Sequence, residues 1–297
     1  MGFWNVLFGG KELTPEEEKQ EQQEKNFDLL KYDGVKAMKM GQTEYAVRCF
    51  EEALKLKNDL ETHDYLSQAL IRQGELAEAL NELELLAAAE PENVQIQIRV
   101  AQVAYMTEDY ERMIAACEQA LQTDADNTQV HFLYAQAYQG QGNTVGAIAM
   151  LTKAIALQQD YAEAYLLRSQ LLLQMGDVKG ADADAEWLIQ HIAEHEDVLL
   201  LKARIEAAKG NAVEAVGWYD RLTEVNPFSI EAYHERGQLK FNQGDKAGAE
   251  ADMQKVLELN PNQLADVNGE YSAEGIEQRV KQAYSAVNPL GCKPNVA

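Results

Sequence analysis

One string in the chain has the residue types and spacing of a metal site: His191-Ile192-Ala193-Glu194-His195. On a continuous helix two histidines four residues apart share a face, and an H-x-x-E-H pattern of this kind marks some zinc peptidases, with the glutamate as base. The corresponding chemistry is metal-assisted hydrolysis. No paired ligand is identifiable downstream, and histidines near a helix end are equally explained by the negative pole of the helix dipole. His63, His131 and His234 stand on separate stretches and read as packed or surface-lining side chains. Asp182-Ala183-Asp184 reads as a solvated face. There is no G-x-S-x-G elbow, phosphate-binding loop or dinucleotide-binding glycine pattern. The chain is therefore expected to be non-catalytic, with no cofactor and no metal, and a metal-dependent hydrolase stands third among the functional readings.

Composition narrows the partners. Lys and Arg number 26 against 49 Asp and Glu, a formal net charge of −23. Neutralising a phosphate backbone needs a basic footprint, so nucleic acid is not an expected partner. The acidic excess reads instead as a solvated exterior. Cys49, Cys117 and Cys292 are too few and too scattered for a disulfide framework, which points to a reducing cytoplasm.

The elements that position these residues are set out by Ile230 to Gln263, a 34-residue stretch whose plan is repeated through most of the chain. It reads as helix, tight turn at Gln243-Gly244-Asp245, second helix, and closing turn at Asn260-Pro261. Starting units at Phe27, Leu60, Val94, Thr128, Ala162, Glu196 and Ile230 gives seven registers, the first 33 residues long and the others 34. Position 8 is then small throughout: Gly34, Ser67, Ala101, Ala135, Ser169, Ala203 and Gly237. Position 20 is Ala46, Ala79, Ala147, Ala181, Ala215 and Ala249, with Met113 as the exception. Position 15 is Gly41, Gly74, Gly142, Gly176, Gly210 and Gly244, suited to the positive φ that ends a helix, whereas the third unit has Glu108 there.

These landmarks resemble those of the tetratricopeptide repeat family. The resemblance covers Phe27 to Gln263 and departs from the family at the closing proline, kept as Pro91, Pro227 and Pro261. It also departs at the aromatic of position 24, kept as Phe50 and Tyr219. It implies an all-α, right-handed α-solenoid of about seven helix-turn-helix units forming one elongated domain. Residues 1–26 are an N-terminal apolar segment and helical extension, 27–263 the repeats, and 264–297 a capping helix and tail. Thr14-Pro15-Glu16-Glu17 is a helix start with a capping box, and nothing stops that helix before Gly41. Ala273 to Val287 reads as one more helix, with Ile276, Val280, Ala283, Tyr284 and Val287 on the face that covers the end of the array.

On each first helix, positions 4, 7, 8 and 11 face inward, and positions 2, 5, 9 and 12 form a second stripe. In the family this stripe lines a concave groove that binds peptides, which makes a protein-interaction scaffold the first functional reading. Position 9 holds Gln68, Gln102, Gln136, Gln170, Arg204 and Gln238 after Val35; position 5 holds Ile98, Phe132, Leu166 and Leu200; position 12 includes Tyr105 and Phe241. Amides both donate and accept, so a row of them can pair with a ligand's backbone while the apolar residues take its side chains. The family's carboxylate clamp needs Lys, Asn, Asn, Lys and Arg where this chain has Lys31, Val35, Tyr65, Gln95 and Arg99, so that specificity is not expected.

The opening segment, MGFWNVLFGG, is too short to span a membrane. Phe3, Trp4, Leu7 and Phe8 share one helical face and either pack on the first repeat or make peripheral contact with a membrane or an assembly. That gives the second functional reading, an adaptor recruited through this segment. Val6 stands where a myristoylation signal needs Ser or Thr.

Overall fold

The computed structural model describes residues 14–260 and 273–284. It is all-α: among the described residues there are helices and turns and no strand. The chain divides into two compact units between Asn143 and Thr144, so the fourth repeat has one helix in each. The first unit contains α1 (Pro15–Lys39), α2 (Thr43–Leu56), α3 (Leu60–Gln73), α4 (Leu76–Ala89), α5 (Val94–Met106), α6 (Tyr110–Thr123) and α7 (Thr128–Gly140). The second contains α8 (Thr144–Leu157), α9 (Ala162–Gln174), α10 (Val178–His191), α11 (Glu196–Ala208), α12 (Ala212–Val225), α13 (Ile230–Asn242), α14 (Lys246–Leu259) and α15 (Ala273–Tyr284). Within each unit every helix packs on its sequence neighbours, the contact pattern of an α-solenoid.

The local chemistry foreseen at the start of α1 is present. The Thr14 backbone N–H donates to Glu17 Oε2 at 2.7 Å, and the Glu17 N–H donates to Thr14 Oγ1 at 3.3 Å. With both orphan donors satisfied and no proline after Pro15 at its first position, α1 runs unbroken from the extension into the first repeat and passes through Gly34.

All seven inter-helix turns close alike. The residue after position 15 donates its N–H five residues back, as in Glu75 to Leu70 at 3.0 Å, Asn143 to Tyr138 at 2.8 Å and Asp109 to Ala104 at 2.8 Å. The six glycines at position 15 have φ between 72° and 87°, and Glu108 adopts the same left-handed region at 55°. The turn is thus imposed by the helix pair, and the third unit forms it with a side chain that disfavours it.

The small columns are explained by approach distances. A Cβ on Gly34 would lie 2.5 Å from the Phe50 ring, and one on Gly237 would lie 2.3 Å from the Tyr284 hydroxyl. The position-20 alanines are fully buried, and Met113 is equally buried in their place. Phe50 and Tyr219 fill the core of their hairpins, each such burial being worth about 1.5–3 kcal/mol.

One expectation is overturned. Asp182 and Asp184 are not a solvated face. Asp184 is buried and takes Arg168 in a forked pair, Nε at 2.8 Å and Nη2 at 2.6 Å. Asp182 accepts from Lys202 at 2.8 Å and bridges to Lys209 at 2.7 Å, and these two lysines hold its pKa below the usual value against the opposing effect of burial. Arg236 and Asp252 repeat the forked pair one pair of units later, at 3.0 and 2.5 Å. Position 7 is inward-facing, as the periodicity says, but in the last three units a cation occupies it. A carboxylate on the second helix satisfies that charge.

The end of the array is covered by α15. Val280 and Tyr284 are buried against Met253, Val256 and Leu257 of α14, with Ile276 and Ala283 beside them. Val287 lies outside the described residues, as do 264–271.

Candidate functional site

The second stripe of the first helices is where the structure leaves side chains accessible. Its rim, position 2, is exposed in every unit: Asp28, Glu61, Gln95, Gln129, Glu163, Asp197 and Glu231. Inside that rim the position-9 column divides into two groups that the sequence treats as one.

Three members are already engaged. In the first unit Gln68 Nε2 donates to Asp64 Oδ2 at 2.9 Å, while Asp64 also pairs with Arg99. In the second unit Arg204 is held by α13, with Nη2 2.6 Å from Glu235 Oε1 and a further pair to Glu231. Burial alone would lower its pKa, but these carboxylates hold it above the ordinary guanidinium value. Tyr219 adds its hydroxyl to Glu235 at 2.6 Å. Gln238 is buried, and its amide donates 2.7 Å to the Tyr284 carbonyl at the end of α15.

The other three differ. Gln102 and Gln136 in the first unit and Gln170 in the second make no side-chain hydrogen bond among the described residues. Gln102 and Gln170 are exposed and Gln136 is half-buried. The apolar residues around them also vary. Tyr105 is 44% exposed, whereas Ile98 is 4% exposed and backs the stripe from the interior. Phe132 is half-buried. In the second unit Leu166 packs against the core that includes Val198 and Leu201, Leu200 against the one that includes Tyr219 and Leu222, and Phe241 lies 6.1 Å from the Tyr284 ring.

The histidine string does not form a helical metal face. α10 ends at His191, whose Nδ1 bonds to the Trp187 carbonyl at 2.7 Å while its ring stacks on Trp187 at 4.0 Å. His195 is the N-cap of α11 and lies 3.8 Å from Asp197. The closing turn of the unit separates the two imidazoles onto different elements. Among the described residues no three His, Cys, Asp or Glu side chains converge as a metal set.

The remaining histidines are structural. His63 pairs with Glu82 and lies 2.7 Å from Asn58, His131 bonds the Ala125 carbonyl at 2.9 Å, and His234 meets Tyr284 edge-on. Cys49 and Cys117 are buried and free on α2 and α6, and burial pushes the Cys117 thiol up to about 12. Cys292 and the apolar quartet Phe3, Trp4, Leu7 and Phe8 lie outside the described residues.

The repeating hairpin with its glycine turn and small contact columns is also what comparison with known proteins returns. Tetratricopeptide repeat profiles match residues 66–128, 104–171 and 230–263. The chain is a tetratricopeptide repeat protein. Its general role is that of a protein-interaction scaffold, the role such repeat arrays serve.

Among solved structures, this repeat protein is similar to a tetratricopeptide repeat protein from Parabacteroides merdae, with 17% identity and a TM-score of 0.64 over 87% of this chain and 99% of that one. It is also similar to YrrB, described as a tetratricopeptide repeat protein with an unusual peptide-binding site. There the identity is 15% and the TM-score 0.54, over 67% of this chain and 97% of that one. A curated relative, DnaJ homolog subfamily C member 3 of Gallus gallus, is 23% identical over 215 residues, 63% of this chain. The match spans less than half of that relative, 43% of its length. Among the described residues of this repeat protein, no helix is long and apolar enough to cross a membrane.

Proposed function

We propose that the protein is a non-catalytic cytoplasmic scaffold that holds extended peptide or protein segments on the second stripe of the first helices within each of its two units. The observation that carries this reading is the division of the position-9 column. Gln68, Arg204 and Gln238 are occupied within the chain, while Gln102, Gln136 and Gln170 offer amides that no described residue uses. An amide offers two donors and an acceptor, which matches the alternating groups of an extended backbone. Tyr105 and Phe132 flank these amides in the first unit, and Leu166 lies beside Gln170 in the second. Ile98 supports the stripe from behind, and Leu200 and Phe241 are half-buried members of it in the second unit. The solved structure of YrrB supports the reading, since a protein of this fold is described there by its peptide-binding site. The acidic balance of the chain favours a protein ligand over a nucleic acid.

The test replaces Gln102, Gln136 and Gln170 together by Ala. The side chains leave solvent-accessible positions and Ala is a good helix former, so the melting temperature should hardly change. Affinity for partners recovered with the wild-type protein should fall by about one to two orders of magnitude for a ligand of the first unit, which loses two hydrogen bonds of about 0.5–1.5 kcal/mol each, and by up to about one order for a ligand of the second, which loses one. A triple variant that retains every such partner at wild-type affinity removes the groove from consideration.

A further inference from the structure

Among the described residues, the first unit has an uncovered flank. At position 3 of the repeats, Thr62, Val130, Ala164, Val198 and Ala232 are at most 1% exposed and Ile96 is 8% exposed. Each lies on a first helix that packs against the second helix of the preceding repeat. Leu29 occupies the same position in the first repeat and is 59% exposed. No helix precedes α1 among the described residues. Beside Leu29 is a recess of about 320 Å³ lined by Asn26, Leu29, Leu30, Glu52, Lys55 and Leu56. Three leucines with polar residues at the edge are what a covering apolar element would meet.

We propose that the segment Phe3 to Phe8 of the same chain covers this recess, serving the first repeat as a preceding helix serves the others. Reach permits it. With a rise of 1.5 Å per residue, Leu29 lies about 21 Å along α1 from Pro15. The six steps from Phe8 to Thr14 span about 20 Å when extended. Gly9-Gly10 supplies the freedom to turn back along α1. The segment has the matching chemistry, because Phe3, Trp4, Leu7 and Phe8 share a face at helical spacing and no charged side chain falls between Met1 and Gly10. Burying this face against Leu29, Leu30 and Leu56 removes apolar surface from water on both sides. The inference is independent of the groove and stands or falls separately from it.

The experiment places benzoylphenylalanine, a photo-crosslinking amino acid, at position 4 of the full chain and maps the products by mass spectrometry in a mixture of isotopically light and heavy protein. The expected result is crosslinks within one chain to Asn26–Leu30 or Glu52–Leu56, lost in Leu29→Glu. Crosslinks to other segments, crosslinks between light and heavy chains, or no protein crosslink at all overturn the proposal. So does transfer of the label to phosphatidylcholine–phosphatidylglycerol vesicles in place of an internal crosslink. As a second measurement, Leu29→Glu should lower the melting temperature of the full chain by a few degrees. The same substitution should have no effect in a chain whose Phe3, Trp4, Leu7 and Phe8 are all Ser. An equal shift in both backgrounds overturns the proposal as well.

Discussion

Replacing Glu108 by Gly should stabilise the protein. Glu108 is the one non-glycine among the described residues with positive φ, 55°, and it stands where six other repeats have glycine at 72° to 87°. The left-handed conformation costs an L-residue about 1–2 kcal/mol, and glycine escapes that cost while losing about 0.5–1 kcal/mol of additional chain entropy on folding. The difference spans about 0–1.5 kcal/mol and centres on a net gain of about 0.75 kcal/mol, or roughly 1–3 °C in a chain of this size. Nothing offsets it, because the Glu108 side chain is exposed and makes no hydrogen bond or ion pair among the described residues. The Asp109 to Ala104 hydrogen bond of 2.8 Å already matches the other turns, so no rearrangement is needed. Thermal and urea denaturation would measure the change, with Glu108→Ala as the control that removes the charge and keeps the strain. In the opposite sense, Gly142→Val should cost more than about 1 kcal/mol while Gln141→Ala costs almost nothing. A Glu108→Gly protein no more stable than Glu108→Ala refutes the reasoning.

Removing Asp184 by substitution with Ala leaves Arg168 without its forked partner in a half-buried site and should cost about 3 kcal/mol; the volume-preserving pair Arg168→Met with Asp184→Leu should recover most of the loss, as read from melting curves. His234 supplies a pH dependence. Burial first, and Arg279 of α15, hold its pKa below the usual 6.5, while Glu231 and Glu235 oppose them. The unfolded chain therefore binds the proton more readily, and the associated stability is intact above about pH 6.5 and is lost as pH falls through the depressed folded value. His234→Phe, which keeps an aromatic edge against Tyr284, should reduce the drop in melting temperature between pH 7 and pH 5, and an unchanged drop would count against this account.

The fold is legible in the sequence because a repeat tests its own register. A single Gly or Ala means little, but a glycine at position 15 in six units and a small residue at position 8 in seven can be satisfied by only one alignment of helices and turns. That alignment also explains why the zinc-like string fails. His191 and His195 occupy positions 30 and 34, and the closing turn between units falls across them. What the columns do not carry is the pairing of charges between helices. Arg168 and Asp184 are 16 residues apart, and helical periodicity places each on a face without saying that the two faces meet. Asp182-Ala183-Asp184 consequently looks like an ordinary wet surface until α9, α10 and α11 are packed together.

The candidate site shows the same limit from the other side. Spacing alone identifies the stripe that contains Gln68, Gln102, Gln136, Gln170, Arg204 and Gln238, since position 9 follows from the register. Which amides are available depends on neighbours that the register does not specify. Gln238 is consumed because α15 ends beside it at Tyr284, and Arg204 because α13 carries Glu231 and Glu235 at positions 2 and 6. Gln68 is drawn to Asp64 because position 5 of that unit is acidic, whereas the units carrying Gln102, Gln136 and Gln170 have Ile98, Phe132 and Leu166 there. An apolar residue one turn before the glutamine cannot accept its hydrogen bond. At Phe132 and Leu166, which are half-buried, the side chain that can supply apolar contact to a ligand is thus also the one that leaves the amide unpaired, and this couples the two halves of the proposed recognition there; Ile98 leaves Gln102 unpaired from the interior. Leu166→Asp, at a half-buried position, should therefore tie up Gln170 from within the chain and weaken peptide binding even though every glutamine remains.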